Sequence, residues 1–243
     1  MRTLLCAAWA ALSTAAPEAR AQRPADSTQA MAGAVAAMGG DDMAHMKHMA
    51  WSPARTMTVK DSIRAMAIAD TLRRAIAKYA DTAFAVRDGY KMFAPSVKNQ
   101  AVYHFTRRAS GLKSAFTFDA AKPTSLLYKR DAAGHLKLIG AMYTAPARFS
   151  QAKLDARVPL SVAQWHQHVN LCIPRDKKEL DRMRAGDHDT HYGLLGDIAD
   201  RGACEKANGR FVERIFGWMV HANVFEGRGV RDVWETEASH GQR

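Results

Sequence analysis

Apolar residues downstream of Thr58 recur at helical spacing. Ala65, Ile68, Leu72, Ala75, Tyr79, Ala83 and Val86 fall at alternating steps of three and four, which predicts one amphipathic helix of about 28 residues. Thr58 with Asp61 three positions later forms a variant capping box at its start, and Gly89, with Pro95 beyond, supplies a stop. A shorter helix is predicted over residues 99–116. The pattern then becomes strand-like: residues 125–130 and 136–144 flank Asp131-Ala-Ala-Gly134, a hairpin turn with a glycine for positive φ. Further strands are predicted over 163–173 and 216–225. The expected fold is α+β, with the long N-terminal helix and a second helix packed on an antiparallel sheet of about four strands. No internal repeat is visible.

The chain ahead of this domain reads differently. Arg2, an apolar run from Leu4 to Leu12 and the small-x-small triplet Ala19-Arg20-Ala21 have the form of a secretory signal over residues 1–21. Residues 22–57, with Pro24, Gly39-Gly40 and many alanines, lack amphipathic periodicity and read as a flexible tail. The tail contains Met43-Ala-His-Met-Lys-His-Met49, so His45, Met46, His48 and Met49 are candidate ligands for copper, above all Cu(I). The same composition also fits a low-complexity linker without a metal. The expected domain covers 58–235, and 236–243 is expected to be a disordered C-terminus.

Charge and cysteine content narrow the setting. The 243 residues hold 35 Lys and Arg against 24 Asp and Glu, a net charge of +11. Loss of 1–21 would remove Arg2, Arg20 and Glu18 and leave +10. Residues 101–160 carry ten basic and three acidic side chains, but without the aromatic interleaving of a nucleic-acid site. A solvated basic face adhering to an anionic envelope surface is the plainer expectation, and nucleic acid is not expected as a partner. No apolar run reaches the roughly 18 residues a transmembrane helix needs. In an exported chain Cys6 leaves with the signal, and Cys172 and Cys204 remain as an even pair. A disulfide between them would add about 3–4 kcal/mol. The alternative is that one thiol serves as a soft metal ligand.

The sharpest local motif is Trp165-His-Gln-His-Val-Asn-Leu-Cys172. On a strand His166 and His168 share a face, and Asn170 continues it as an outer hydrogen-bond partner. His221, inside the apolar stretch Phe216-Gly-Trp-Met-Val-His221, is the best third ligand. His104, placed on the predicted second helix, is a possible fourth, and Glu226 a more distant option. The competing reading is that each histidine is a hydrogen-bonded core residue. For an all-histidine set zinc leads, with copper and iron behind. Blue copper is disfavoured, because no closely spaced Cys-His-Met loop follows Cys172. Gly186-Asp-His-Asp-Thr-His-Tyr-Gly193 clusters two His and two Asp but reads as a surface loop. No nucleophile elbow, phosphate-binding loop, zinc-protease helix or dinucleotide fingerprint is present.

Six stretches resemble a family of uncharacterised secreted bacterial proteins. They are Asp88-Gly-Tyr90, Tyr103-His-Phe105, Pro123-Thr-Ser-Leu-Leu-Tyr128, Gly140-Ala-Met-Tyr-Thr-Ala-Pro146, the segment from Pro159 to Pro174 that contains Trp165-His-Gln-His, and Phe216-Gly-Trp-Met-Val-His221. The resemblance covers about Tyr79 to Trp234, supports the domain limits and adds weight to the histidines; it implies no reaction. The leading expectation is an exported metal-binding protein using His166, His168, His221 and His104 to store, transfer or sense zinc or copper. An enzyme with the same histidines around an open coordination position is the alternative. A third reading is an envelope-interaction domain without metal, in which the histidines would lie apart.

Overall fold

The computed structural model describes residues 47–95, 100–185, 191–194 and 196–234. The predicted signal, most of the predicted tail with His45 and Met46, and the predicted C-terminal tail lie outside the described residues.

The helix predicted from Thr58 begins where expected but is shorter. Helix α1 (Val59–Ile76) starts with the Thr58 hydroxyl accepting from the Asp61 N–H at 3.1 Å. The same hydroxyl donates to the Asp61 carboxylate at 2.9 Å, and Ser161 donates to it from across the fold at 2.7 Å. Ala65, Ala69, Leu72 and Ile76 form its buried stripe. A 3₁₀ turn over Ala77–Ala80 follows, and Asp81 then adopts an extended conformation. Its carboxylate accepts from the Ala83 N–H at 2.8 Å, which starts a separate helix α2 (Thr82–Arg87). An aspartate that captures a nearby backbone N–H offers the chain an alternative to continuing the helix. The register shifts with the break: Ala85 is buried, whereas Val86, on the predicted stripe, is 58% exposed.

The expected four-stranded α+β arrangement is replaced by one seven-stranded antiparallel sheet, accompanied by seven α-helices among the described residues. The strands are β1 (Met49–Trp51), β2 (Lys91–Met92), β3 (Tyr103–Thr106), β4 (Ser125–Arg130), β5 (Leu136–Ala145), β6 (His166–Pro174) and β7 (Gly209–Ala222), in the order β1-β6-β7-β5-β4-β3-β2. The remaining helices are α3 (Arg108–Ser114), α4 (Gln151–Asp155), α5 (Lys177–Ala185), α6 (Arg201–Lys206) and α7 (Val230–Val233). Residues predicted as a second helix over 99–116 instead form β3 and then α3. Tyr103 and Phe105 are buried and alternate with half-buried His104 and Thr106, which is the period of a strand with two different faces. The β4–β5 hairpin follows the predicted turn, with the Asp131 carboxylate accepting from the His135 N–H at 2.8 Å and Gly134 at φ 88°. Strand β1 falls within the segment read as tail.

One face of the sheet builds the main core. Tyr103, Phe105, Leu126, Tyr128, Ala141, Tyr143, Val220 and Ala222 pack against the α1 stripe and against Leu154, Val158 and Trp165. Buried aromatics here keep their polar ends satisfied: Tyr128 donates to the Tyr79 carbonyl at 2.8 Å and Tyr143 to the Ala120 carbonyl at 2.6 Å. Cys172 on β6 and Cys204 on α6 form a disulfide that ties the helix to the end of the sheet. No helix among the described residues is long and apolar enough to cross a membrane.

Candidate metal centre

The opposite face of the sheet carries the histidines. Antiparallel register places directly opposed residues on one face, and the pairs His166↔Met219, His221↔Met142, His168↔Met49 and His166↔Trp51 define it. Strand β3 adds His104, opposite Leu127. Leu127, Ile139, Met142 and Met219 are buried together as an apolar floor on this side.

The four predicted ligands meet there. Ring centres are 5.7 Å apart for His168 and His166, 5.2 Å for His166 and His221, and 5.5 Å for His221 and His104. Two imidazoles bound to one tetrahedral ion at about 2.0–2.1 Å from each nitrogen have ring centres roughly 5 Å apart. His166 and His221 are 1% and 3% exposed, while His168 and His104 are half-buried and form the solvent side. Trp51 stands 5.1 Å from His166, ring centre to ring centre. As they stand, no three His, Cys, Asp or Glu side chains among the described residues form a ready-made ligand group.

Electrostatics follow from this crowding. Burial holds the His166 imidazole well below the usual histidine range, and the neighbouring His221, His168 and His104 push it further in the same direction. A ring kept neutral retains a lone pair, the form in which histidine binds metal. His104 Nδ1 lies 3.2 Å from the Val102 carbonyl; since a carbonyl only accepts, that nitrogen is the donor and Nε2 carries the lone pair of the neutral ring.

Local backbone features shape this face. Between the pairs His166↔Met219 and His168↔Ile215 the register slips, and β7 bulges over Phe216–Trp218. Phe216 sits at φ 64°, a costly conformation for a bulky residue. Gly217 passes so close to β5 that a Cβ would lie 2.0 Å from the Ala145 carbonyl oxygen. The bulge sends the half-exposed Phe216 ring against Phe93, edge to face at 5.9 Å. Phe93 follows β2 at the far edge of the sheet and its N–H donates to the His104 carbonyl at 2.8 Å. The Phe93–Phe216 contact links the chain just past β2 to β7, and the His104–His221 contact links β3 to β7, neither pair being neighbours in the sheet, so the sheet curls over this face, and the two phenylalanines span it.

Other candidates are placed elsewhere. His48 is buried, and its ring nitrogens lie 3.0 Å and 2.9 Å from the carbonyls of Asn170 and Gly196, so it anchors the N-terminal segment to the body of the domain. Met49 is the register partner of His168. Asn170 does not continue the histidine face: at φ 57° it interrupts the strand alternation, and its side-chain amide donates to the Lys47 carbonyl at 3.4 Å. Glu226 is ion-paired with Lys129 at 3.0 Å. With Cys172 and Cys204 in a disulfide, neither offers a thiolate. Of the Gly186–Gly193 loop, Asp187, His188 and Asp189 lie outside the described residues, and His191 pairs with Asp197 at 2.9 Å on the surface. Sequence reasoning missed Met142, Met219 and Trp51. The first two were within reach, since Met219 precedes His221 by the two-residue step of a strand face.

Comparison of the chain with known protein families, with curated proteins and with solved structures gives no match.

Proposed function

We infer that this chain is an exported metal-binding protein whose site is built on His166, His168, His221 and His104, with zinc or copper as its ion. The observation that carries this reading is the convergence of four histidines from three strands on one face, in successive ring contacts of 5.2–5.7 Å. Histidines retained as separate core residues have no reason to gather, since each would need only its own hydrogen-bond partner. Modest ring rotation turns such contacts into shared coordination, because the ring centres already have the spacing of ligands on one ion. The Met/His-bearing segment enters the fold at this place, through Met49 beside His168, and in this reading it captures the ion and passes it to the histidines. The disulfide fits an oxidising compartment, periplasmic or extracellular, where the basic face of residues 101–160 holds the protein near anionic envelope surfaces.

The test is metal analysis of the purified chain after equilibration with zinc or copper, alongside His166→Ala/His168→Ala and His221→Ala variants whose folding is checked by circular dichroism. About one metal per chain, lost in both folded variants, is the expected result. Failure of the wild-type chain to retain either ion would overturn the reading.

A further inference from the structure

The geometry points to monovalent copper as the ion, held by His166 and His221 together with the thioethers of Met219 and Met142; this assignment rests on the histidine site inferred above. The observation is a pattern of register. Met142 on β5 opposes His221 on β7, and Met219 on β7 opposes His166 on β6. Met219 and His221 are two residues apart on one strand face, and the His166 and His221 rings touch diagonally at 5.2 Å. The four side chains therefore form one contiguous patch across three adjacent strands, with two imidazoles and two thioethers interleaved. Directly opposed Cβ atoms in such pairs lie about 4.5–5.5 Å apart, within reach of a flexible methionine side chain that shares an ion with its partner.

Two physical arguments select the ion. Thioether sulfur is a soft ligand that favours Cu(I) over zinc, whereas imidazole accepts either. The set is also wholly neutral. His166 is almost completely buried, and Met142 and Met219 are 7% and 6% exposed. The cost of taking an ion out of water grows with the square of its charge, so a neutral, buried ligand set suits a monovalent cation far better than a divalent one. The Trp51 ring, 5.1 Å from His166 and tilted 53° to it, adds an aromatic π-system beside the site, which also favours a poorly hydrated cation. The bland alternative is that the methionines merely fill the core next to Leu127 and Ile139. That alternative makes a different prediction, since core packing does not distinguish one metal from another.

The experiment compares Cu(I), supplied anaerobically from a chromophoric chelator, with Zn²⁺ on the wild-type chain and on Met142→Leu/Met219→Leu. Methionine-to-leucine exchange nearly conserves volume, so the fold is kept. The expected result is a sulfur scatterer in the copper X-ray absorption spectrum of the wild type, lost in the double variant along with about 100-fold in Cu(I) affinity, while zinc affinity stays within about threefold. A Met92→Leu variant, on the core face of the sheet, is expected to leave both quantities unchanged; loss of the sulfur signal there instead would overturn the assignment. A nitrogen-only Cu(I) shell, or equal Cu(I) affinity in wild type and Met142→Leu/Met219→Leu, would also overturn it while leaving the histidine site standing. No binding of either ion by the wild type would overturn both, and the His166→Ala/His168→Ala variant identifies that case by matching it.

Discussion

The two faces of the sheet are written by alternate residues of the same strands, yet they differ in what they are made of. On β7, Val220 and Ala222 point into the main core, while Met219 and His221 point the other way. On β3, Tyr103 and Phe105 join the core, and His104 between them joins the histidine cluster. The core face is covered by α1 and by the segment around Leu154–Trp165, so its residues gain the full transfer free energy of burial. The histidine face is built differently. It is enclosed by the curl of the sheet itself and by the Phe93–Phe216 contact, and it holds polarisable and titratable groups that add little as packing material. A period of two lets one strand carry two unlike sets of side chains at once, because the two sets never meet.

Substitutions that separate the two faces make this contrast measurable. Trp165→Ala, which removes a fully buried indole from the core face, is expected to cost about 3–5 kcal/mol in denaturant unfolding. A metal-to-protein ratio preserved in the fraction that stays folded would show that the faces act independently. Next comes the joint Cys172→Ser/Cys204→Ser exchange. The bridge spans a sequence separation of 32 residues, and opening it should lower stability by about 3–4 kcal/mol. Metal retention should be little affected, as the bridge lies at the opposite end of β6 from His166. Gly217→Ala tests the bulge that joins the faces. Its new methyl would meet the Ala145 carbonyl, and a loss of about 1–3 kcal/mol is expected from the forced backbone shift, with metal affinity falling as well because His221 and Met219 follow on the same strand.

The smallest effect concerns pH in the metal-free protein. Burial and three neighbouring imidazoles keep the folded His166 neutral, whereas in the unfolded chain it takes up a proton below about pH 6.5. The unfolded state then binds more protons than the folded one, so this contribution is full above that pH and is lost as pH falls below it. The slope is at most about 1.4 kcal/mol per pH unit. Urea midpoints measured between pH 7 and pH 5 should fall less steeply in His166→Gln. An unchanged slope would assign the pH dependence to other groups.

The legible parts of the fold were those fixed by local chemistry. The hairpin of β4 and β5 matched its predicted limits closely because Asp131 and Gly134 determine the turn by themselves. The start of α1 was legible for the same reason, through Thr58 and Asp61. Its end was not, since the apolar stripe ran on past Asp81 and only the cap at that residue reveals the break. Strand β3 was misread because four residues with two aromatics fit a helical stripe as readily as a strand. Strand β1 had no pattern of its own; three residues become a strand only by pairing with β6. At the candidate site, the histidines were legible as residue types in apolar surroundings, while the methionines that oppose them were invisible without the register.

By itself the sequence determined the alternation that gives each strand two unlike faces, the hairpin turn, the first helix cap and the pair of cysteines now joined. All of these depend on residues near one another or on composition. Tertiary structure decided which strands lie side by side, and with that the seven-stranded order, the curl over the histidine face and the opposition of His166 to Met219 and His221 to Met142. Cross-strand partnership depends on how distant segments bury their apolar faces together, and that free energy belongs to the assembled sheet rather than to any one segment.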